Sequence, residues 1–367
     1  MSEAHAHRRH ALRDRLRERE LDAMLVTDLL NIRYLTGFTG SNAALLVHAA
    51  DEPGAEERTV FCTDGRYLLQ AEKQVPDLER ILDRASDLAL AGHVATAGYR
   101  RVGFESQHVT VDGLDALAAQ ADGAELVRAP GLVEQLRLVK DESEIEALRM
   151  ACAAADRALA DLIEHGGLRP GRTELEVARE LEARMLDHGA AGPSFDTIVA
   201  AGPNSAVPHH RPTDAVLAEG DLVKLDFGAL VDGYHSDMTR TVVLGRAADW
   251  QREIYQLVQA AQTAGCGAVR VDADVRAIDT AARQVIEDAG YGDRFLHGLG
   301  HGVGLEIHEA PTLSQRGDGR ICAGMAVTVE PGVYLAGQGG VRIEDTLVVR
   351  PSTPELLTLT TKELVEV

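Results

Sequence analysis

Hydrophobic and polar positions follow two different rhythms along this chain. Over the first ~130 residues, short apolar runs alternate with helical patterns. Residues 21–27, 42–47, 59–62, 101–104 and 124–127 have the character of strands, and 8–19, 67–74 and 113–121 repeat at helical spacing. That alternation predicts an α/β domain. Ala129-Pro130-Gly131 interrupts it, and the domains are expected at 1–135 and 136–367. Beyond the break, Ile145, Leu148, Cys152, Ala155, Leu159 and Leu162 form one face of a long helix. Ser143 and Glu146 have capping-box spacing at its start, and Gly166-Gly167 stops it. Thr173 and Glu176 cap a second helix through Leu175, Ala178, Leu181 and Met185, ended by Gly189, and 251–264 and 274–289 read as further helices. Strands in hairpins between long helices predict an α+β second domain.

Charged residues sit on those strands. In the run Leu222 to Gly228, Val223, Leu225 and Phe227 share one face, and Lys224 and Asp226 the other. Asp232-Gly233 signals a two-residue hairpin, which sets Val231 opposite Tyr234 and Asp226 opposite Thr239. Asp226 and Asp237 then share a face as diagonal neighbours, about 7–8 Å apart at the backbone. The competing reading is a pair of solvated hairpin carboxylates. Glu330 and Glu344 repeat the pattern: Val327 and Val329 alternate with Thr328 and Glu330, then, after a loop over 335–340, Val341 and Ile343 alternate with Arg342 and Glu344. Arg342 could orient Glu344, hold a substrate carboxylate, or form a surface ion pair worth under about 1 kcal/mol.

The stretch from His297 to Glu309 supplies imidazoles. His297 and His301 are four apart, but Gly298, Gly300, Gly302 and Gly304 disfavour a helix, and an extended, glycine-rich segment is expected. There is no HExxH, no phosphate-loop signature and no GxSxG elbow. Four carboxylates and one imidazole on apolar segments are costly unless neutralised. A pair of divalent ions does this most economically and points to a hydrolase. The oxygen-rich set suits Mn²⁺, Co²⁺, Fe²⁺ or Zn²⁺, and two such ions can share a water and lower its pKa.

Composition narrows the partners. The formal charge of −21 argues against nucleic acid, offers nothing to an anionic membrane, and attracts cations such as an amine terminus or a metal ion. Cys62, Cys152, Cys266 and Cys322 contain no CxxC pair, which fits reduced thiols and a cytoplasmic location. The arginine-rich start is followed by no apolar signal-peptide core, and no apolar run is long enough to span a bilayer. Residues 4–7 are expected to be a frayed tail.

Asp226, Asp237, His301, Glu330 and Glu344, taken in order, resemble the ligands of the pita-bread metallopeptidases, which include methionine aminopeptidase, aminopeptidase P and prolidase. The resemblance rests on Leu225-Asp226-Phe227-Gly228, Ser236-Asp237-Met238-Thr239-Arg240-Thr241, the stretch His297 to Glu309, Val329-Glu330-Pro331-Gly332 and Arg342-Ile343-Glu344-Asp345. It covers 142–367 as the catalytic domain. Residues 21–127, including Asn31-Ile32-Arg33-Tyr34-Leu35-Thr36-Gly37-Phe38, are similar to the creatinase-type N-terminal domain of the Xaa-Pro branch.

The resemblance implies two divalent ions per subunit, Mn²⁺ foremost, with Co²⁺, Zn²⁺ or Fe²⁺ as alternatives. Asp226 would chelate one ion, His301 and Glu330 the other, and Asp237 and Glu344 would bridge. It implies that His209 (with His210 beside it as the rival) and His308 contact substrate, with His308 steadying the tetrahedral oxyanion. Glu330 would shuttle a proton to the leaving proline nitrogen, and His297 and Arg342 would occupy proline-site and supporting positions. Phe195, Leu299 and Val303 are candidates to line a proline pocket. The implied activity is hydrolysis of an N-terminal Xaa-Pro bond in dipeptides or short peptides by a metal-bridging hydroxide. The implied assembly is a homodimer in which Arg33 or Tyr34 could cap the partner's cleft. The alternatives are a pita-bread module that binds peptides without cutting them and a creatinase-like amidinohydrolase that needs no metal.

Overall fold

In the computed structural model, which describes residues 2–50, 54 and 56–367, the apolar runs of the N-terminal part pair into one six-stranded sheet. Its strands are β1 (Ala23–Val26), β2 (Ala43–His48), β3 (Val60–Thr63), β4 (Glu79–Leu82), β5 (Arg101–Phe104) and β6 (Glu125–Arg128), in the order β4-β3-β2-β1-β5-β6. β1 runs parallel to β5, β5 to β6 and β3 to β4, while β2 is antiparallel to both its neighbours. The helices are α1 (Ser2–Glu18), α2 (Leu29–Thr36), α3 (Leu68–Gln74), α4 (Ser86–Ala97), α5 (Val111–Gln120) and α6 (Leu132–Arg137). Leu90 and Val94 of α4 and Leu117 of α5 pack on Leu25, Leu46 and Val102 of the sheet. The chain divides into two compact units between Arg137 and Leu138.

Sequence patterning anticipated neither β4, α2 nor α4. Asn31 and Arg33 interrupt the apolar period of α2, which is set instead by its Asp28 cap and by Gly37 at φ 79. Helix α4 is rich in alanine and has no polar face for a period to mark. Residues 4–7 are not frayed. They belong to α1, and the His5 ring packs so closely on Gly37 that a Cβ there would lie 2.5 Å away. Arg9 of the same helix is buried against Glu56, Asp77 and the Leu35 carbonyl. Tyr34 is also buried, under the Arg8 guanidinium at 4.4 Å, so it is not available to cap anything.

The second unit has two halves, each a helix pair on a sheet. In the first, α7 (Glu142–Glu164) and α8 (Glu174–Asp187) share a core with β8 (Ile198–Ala201), β9 (Leu222–Phe227) and β12 (Met238–Val243). These strands run in the order β12-β9-β8, beside a short sheet of β11 (Tyr234–His235), β10 (Ala229–Val231) and β7 (Gly192–Pro193). In the second half, α9 (Asp249–Ala268) and α10 (Val275–Asp288) pack on strands β13 (Gly300–Gly302), β14 (Glu309–Leu313), β15 (Ala326–Val329), β18 (Asp345–Val348) and β19 (Glu355–Leu356), and on the hairpin of β16 (Gly332–Leu335) and β17 (Gly339–Arg342).

Two expectations change here. Helix α7 is capped two residues early: Asp141 accepts from the Ser143 and Glu144 amides, with Glu144 closing the box. The sequence offers two overlapping boxes, and Glu146 of the other pairs with Arg149 at 2.8 Å. The loop expected over 335–340 is a hairpin whose strands include Leu335, Gly339 and Gly340.

Candidate metal centre

Strand alternation decides which side chains reach the site. In β9, Val223, Leu225 and Phe227 enter the core with α7 and α8, which sends Lys224 and Asp226 to the opposite face. Asp232 and Gly233, at φ 47 and φ 76, make the tight turn that pairs Val231 with Tyr234. Thr239 lies opposite Asp226, in the expected register, and Asp237 immediately precedes β12. A Cβ on Gly228 would stand 1.8 Å from the Ser236 carbonyl, so only glycine lets these segments close up beside the carboxylates.

The second half supplies the other donors. His301 lies in extended β13. A Cβ on Gly300 would stand 2.0 Å from the Thr328 carbonyl, so glycine lets β13 press onto β15, whose end carries Glu330. Val329 is opposite Asp345, and the next step of that register brings Glu330 towards Glu344.

Asp226, Asp237, His301, Glu330 and Glu344 thus converge on one cavity of about 410 Å³, together with His209, His308, Phe195, Asp196, Ile198, Arg211 and Ile307. The His301 Nδ1 is engaged with the Gly302 carbonyl at 2.9 Å, leaving Nε2 to face Asp237 Oδ2 at 3.4 Å and Glu330 Oε1 at 3.6 Å. One donor atom each from Asp237, His301 and Glu344 fall within 4.8 Å of one another. The Thr239 hydroxyl donates to Glu344 Oε2 at 2.7 Å, and Arg342 pairs with Asp226.

These carboxylates are not solvated hairpin groups. Burial, then the charges of Asp226 and Glu330, hold the Asp237 carboxyl well above its ordinary range. Burial, then Asp237, does the same to Glu344. Burial and Glu344 push Glu330 up to about 8. Fully ionised, the donor set would crowd negative charge that a bound cation would relieve, and it leaves one imidazole nitrogen to ligate. It fits divalent cations that prefer oxygen with some nitrogen.

The histidines separate by environment. His209 is exposed at the cavity, while its neighbour His210 is tied to buried Glu174 at 2.8 Å, which resolves the pair in favour of His209 as the cavity residue. The His308 ring stands edge-on to His301 at 4.4 Å, and burial, then His301, lowers its pKa. His297 and Arg342 are not among the cavity's lining residues. His297 shares a 2.8 Å hydrogen bond with the Tyr334 hydroxyl, and Arg342 donates to that hydroxyl at 2.9 Å, to the Pro208 carbonyl at 3.2 Å and to Thr239 Oγ1 at 3.0 Å. Burial, then Arg342, lowers the His297 pKa to about 3. Of the candidates for a proline pocket, Phe195 lines the cavity, whereas Leu299 and Val303 are fully buried in the core.

Three supporting residues escaped the sequence reading. Thr239 was visible only as the partner of Asp226 in register. Lys224 carried a signal, since alternation puts it on the Asp226 face. It is wholly buried and donates to the Val207 and Pro208 carbonyls at 2.5 and 3.1 Å, just before His209. Tyr334 had no signal at all.

Comparison with known proteins agrees with this geometry. Residues 146–351 match the model of metallopeptidase family M24, and 8–139 match the creatinase/prolidase N-terminal domain. The chain is 34% identical over 356 residues to a Xaa-Pro dipeptidase of Pyrococcus furiosus, covering 95% of this chain and 96% of that one. A solved Xaa-Pro dipeptidase from Bacillus anthracis superposes with a TM-score of 0.93 at 40% identity, over 99% of this chain and all (100%) of that one. An X-Pro aminopeptidase from Thermotoga maritima superposes at 0.87 with 34% identity, over 95% and 99% of the two chains.

Proposed function

The chain belongs to metallopeptidase family M24 and carries a creatinase/prolidase N-terminal domain, and on that premise we propose that it is a metal-dependent peptidase. Its reaction is hydrolysis of the bond between an N-terminal residue and a following proline in dipeptides or short peptides. The observation that carries this reading is the convergence of four carboxylates and His301 on one cavity, where Arg342 is hydrogen-bonded to Asp226 and stands 3.9 Å from Glu330.

Asp226 would serve one divalent ion, His301 and Glu330 a second, and Asp237 and Glu344 both. Mn²⁺ is the expected metal, and Co²⁺, Zn²⁺ and Fe²⁺ share its donor preference. When bound, such ions supply Lewis acidity and a water acidified for attack at neutral pH. The protein's own groups do the rest. A prolyl amide has no N–H, and its nitrogen must be protonated to leave. Glu330 would carry that proton, a role supported by its position on the cavity wall beside His301. His308 donates a hydrogen bond to the oxygen anion developing on the scissile carbonyl, and His209 meets the substrate from the exposed side. His297 and Arg342 act through Tyr334, Asp226 and the Pro208 carbonyl, as positioning residues rather than substrate contacts.

The same reading makes the protein a cytoplasmic homodimer that engages neither nucleic acid nor membrane. Four unpaired cysteines support a reducing compartment, and no helix among the described residues is long and apolar enough to cross a membrane. A series of Xaa-Pro, Xaa-Pro-Xaa and longer peptides, with alanine replacing proline as control, tests the activity in Mn²⁺-loaded enzyme. Cleavage before proline is expected, and cleavage of neither Xaa-Pro nor Xaa-Pro-Xaa would overturn the reading.

A further inference from the structure

A short peptide brings two opposite charges to this cavity, an amine at one end and a carboxylate at the other. Buried carboxylates crowd one part of the wall, where a metal or an amine is welcome and a substrate carboxylate is repelled. The cations near them are already committed. Arg342 is buried and engaged with Asp226, Thr239, Tyr334 and Pro208. Lys224 is buried and spends its amine on the Val207 and Pro208 carbonyls.

Among the described residues, one Lys or Arg lines the cavity, and it is Arg211. It lies two residues beyond His209, with its side chain 87% exposed. Its partner Asp196 also lines the cavity, is 86% exposed, and stands 3.6 Å away. An exposed pair at that separation is weak and exchangeable in water. A guanidinium binds a carboxylate through two parallel N–H donors, a better match than the present contact.

On the peptidase reading above, on which this rests, we propose that Arg211 receives the C-terminal carboxylate of the shortest substrates, in exchange for Asp196. Arg211 is thus a specificity residue favouring peptides that end at or just after the proline. Asp196 works against it, by occupying the guanidinium and by repelling the incoming carboxylate. The two residues therefore have opposite effects, and both are exposed enough that replacement leaves the core untouched.

The test pairs one Xaa-Pro dipeptide as the free acid with the same dipeptide as its C-terminal amide. KM, kcat and calorimetric binding are measured for Mn²⁺-loaded wild type, Arg211→Gln and Asp196→Asn. Arg211→Gln should raise KM for the acid relative to the amide by roughly tenfold, as loss of one charge-assisted contact implies. Asp196→Asn should move that ratio the other way, and both effects should shrink at high salt. Equal changes for acid and amide, or no change, overturn the proposal. If wild type turns over neither peptide, the peptidase reading fails, and the acid-to-amide binding ratio still decides for or against Arg211.

Discussion

Arg342 sets the terms on which the four carboxylates share one cavity. Its guanidinium pairs with Asp226, reaches within 3.9 Å of Glu330, and bonds the Thr239 hydroxyl that donates to Glu344. Replacing it leaves buried charge uncompensated, a loss of about 3–5 kcal/mol for a pair broken on one side. Arg342→Met should therefore lower the denaturant stability of the metal-free protein by about that amount, and added Mn²⁺ should recover more stability in the variant than in wild type. Equal stability of the two metal-free proteins would show that the pair is not structural. At this scale three donors were legible because alternation is a period of two and each follows an apolar neighbour, Asp226 after Leu225, Glu330 after Val329 and Glu344 after Ile343. What Arg342 does was not legible. Its partners Tyr334, Pro208 and Thr239 come from three different segments, and parity carries no information about such meetings.

At the scale of elements, local rules held where they were unambiguous. Asp232-Gly233 produced the expected turn and register, and the Thr173–Glu176 box caps α8 as expected. The start of α7 failed because two boxes overlap by two residues and spacing alone cannot rank them. Asp141 wins with two backbone amides on its side chain. Asp141→Ala should then cost about 1 kcal/mol in urea unfolding and Ser143→Ala about a few tenths, and the reverse order would put the cap at Ser143. Helices α2 and α4 stayed hidden for opposite reasons, the first too polar within its apolar face and the second too uniformly apolar. Helix α4 is held by the sheet beneath it rather than by its own periodicity, and α2 is set by its Asp28 and Gly37 caps.

Across the whole molecule, the glycine-rich run and the charged strands made the catalytic half recognisable, while buried ionic networks away from the site left no trace in the pattern. Glu174 at the start of α8 is the clearest case. Its carboxylate accepts from the Ala201 and Thr213 amides, Asn204, the Thr213 hydroxyl and His210. Burial pushes this carboxyl up, but those bonds outweigh it and hold the pKa below its ordinary value. The unfolded chain, with a pKa near ~4.3, binds the proton first as pH falls. The stabilisation is then complete above that value and is lost as pH drops through the folded one. Glu174→Gln should cost about 2 kcal/mol at pH 7, and the gap to wild type should close as urea midpoints are followed down through the acid range. A gap independent of pH would mean that Glu174 acts by packing alone.

On the proposed function, Asp226, Asp237, His301, Glu330 and Glu344 form one two-ion centre that cuts before proline. Its most direct test is a Mn²⁺ titration of metal-stripped wild type and Asp237→Asn, with bound metal per chain and Xaa-Pro hydrolysis measured on the same samples. Wild type should bind two ions and gain activity in step. Asp237→Asn should keep its circular dichroism, bind metal more weakly and lose at least ~100-fold in turnover, more than the loss of a supporting contact would cause. Fewer than one ion per wild-type chain, or full hydrolysis by the variant, would contradict the account.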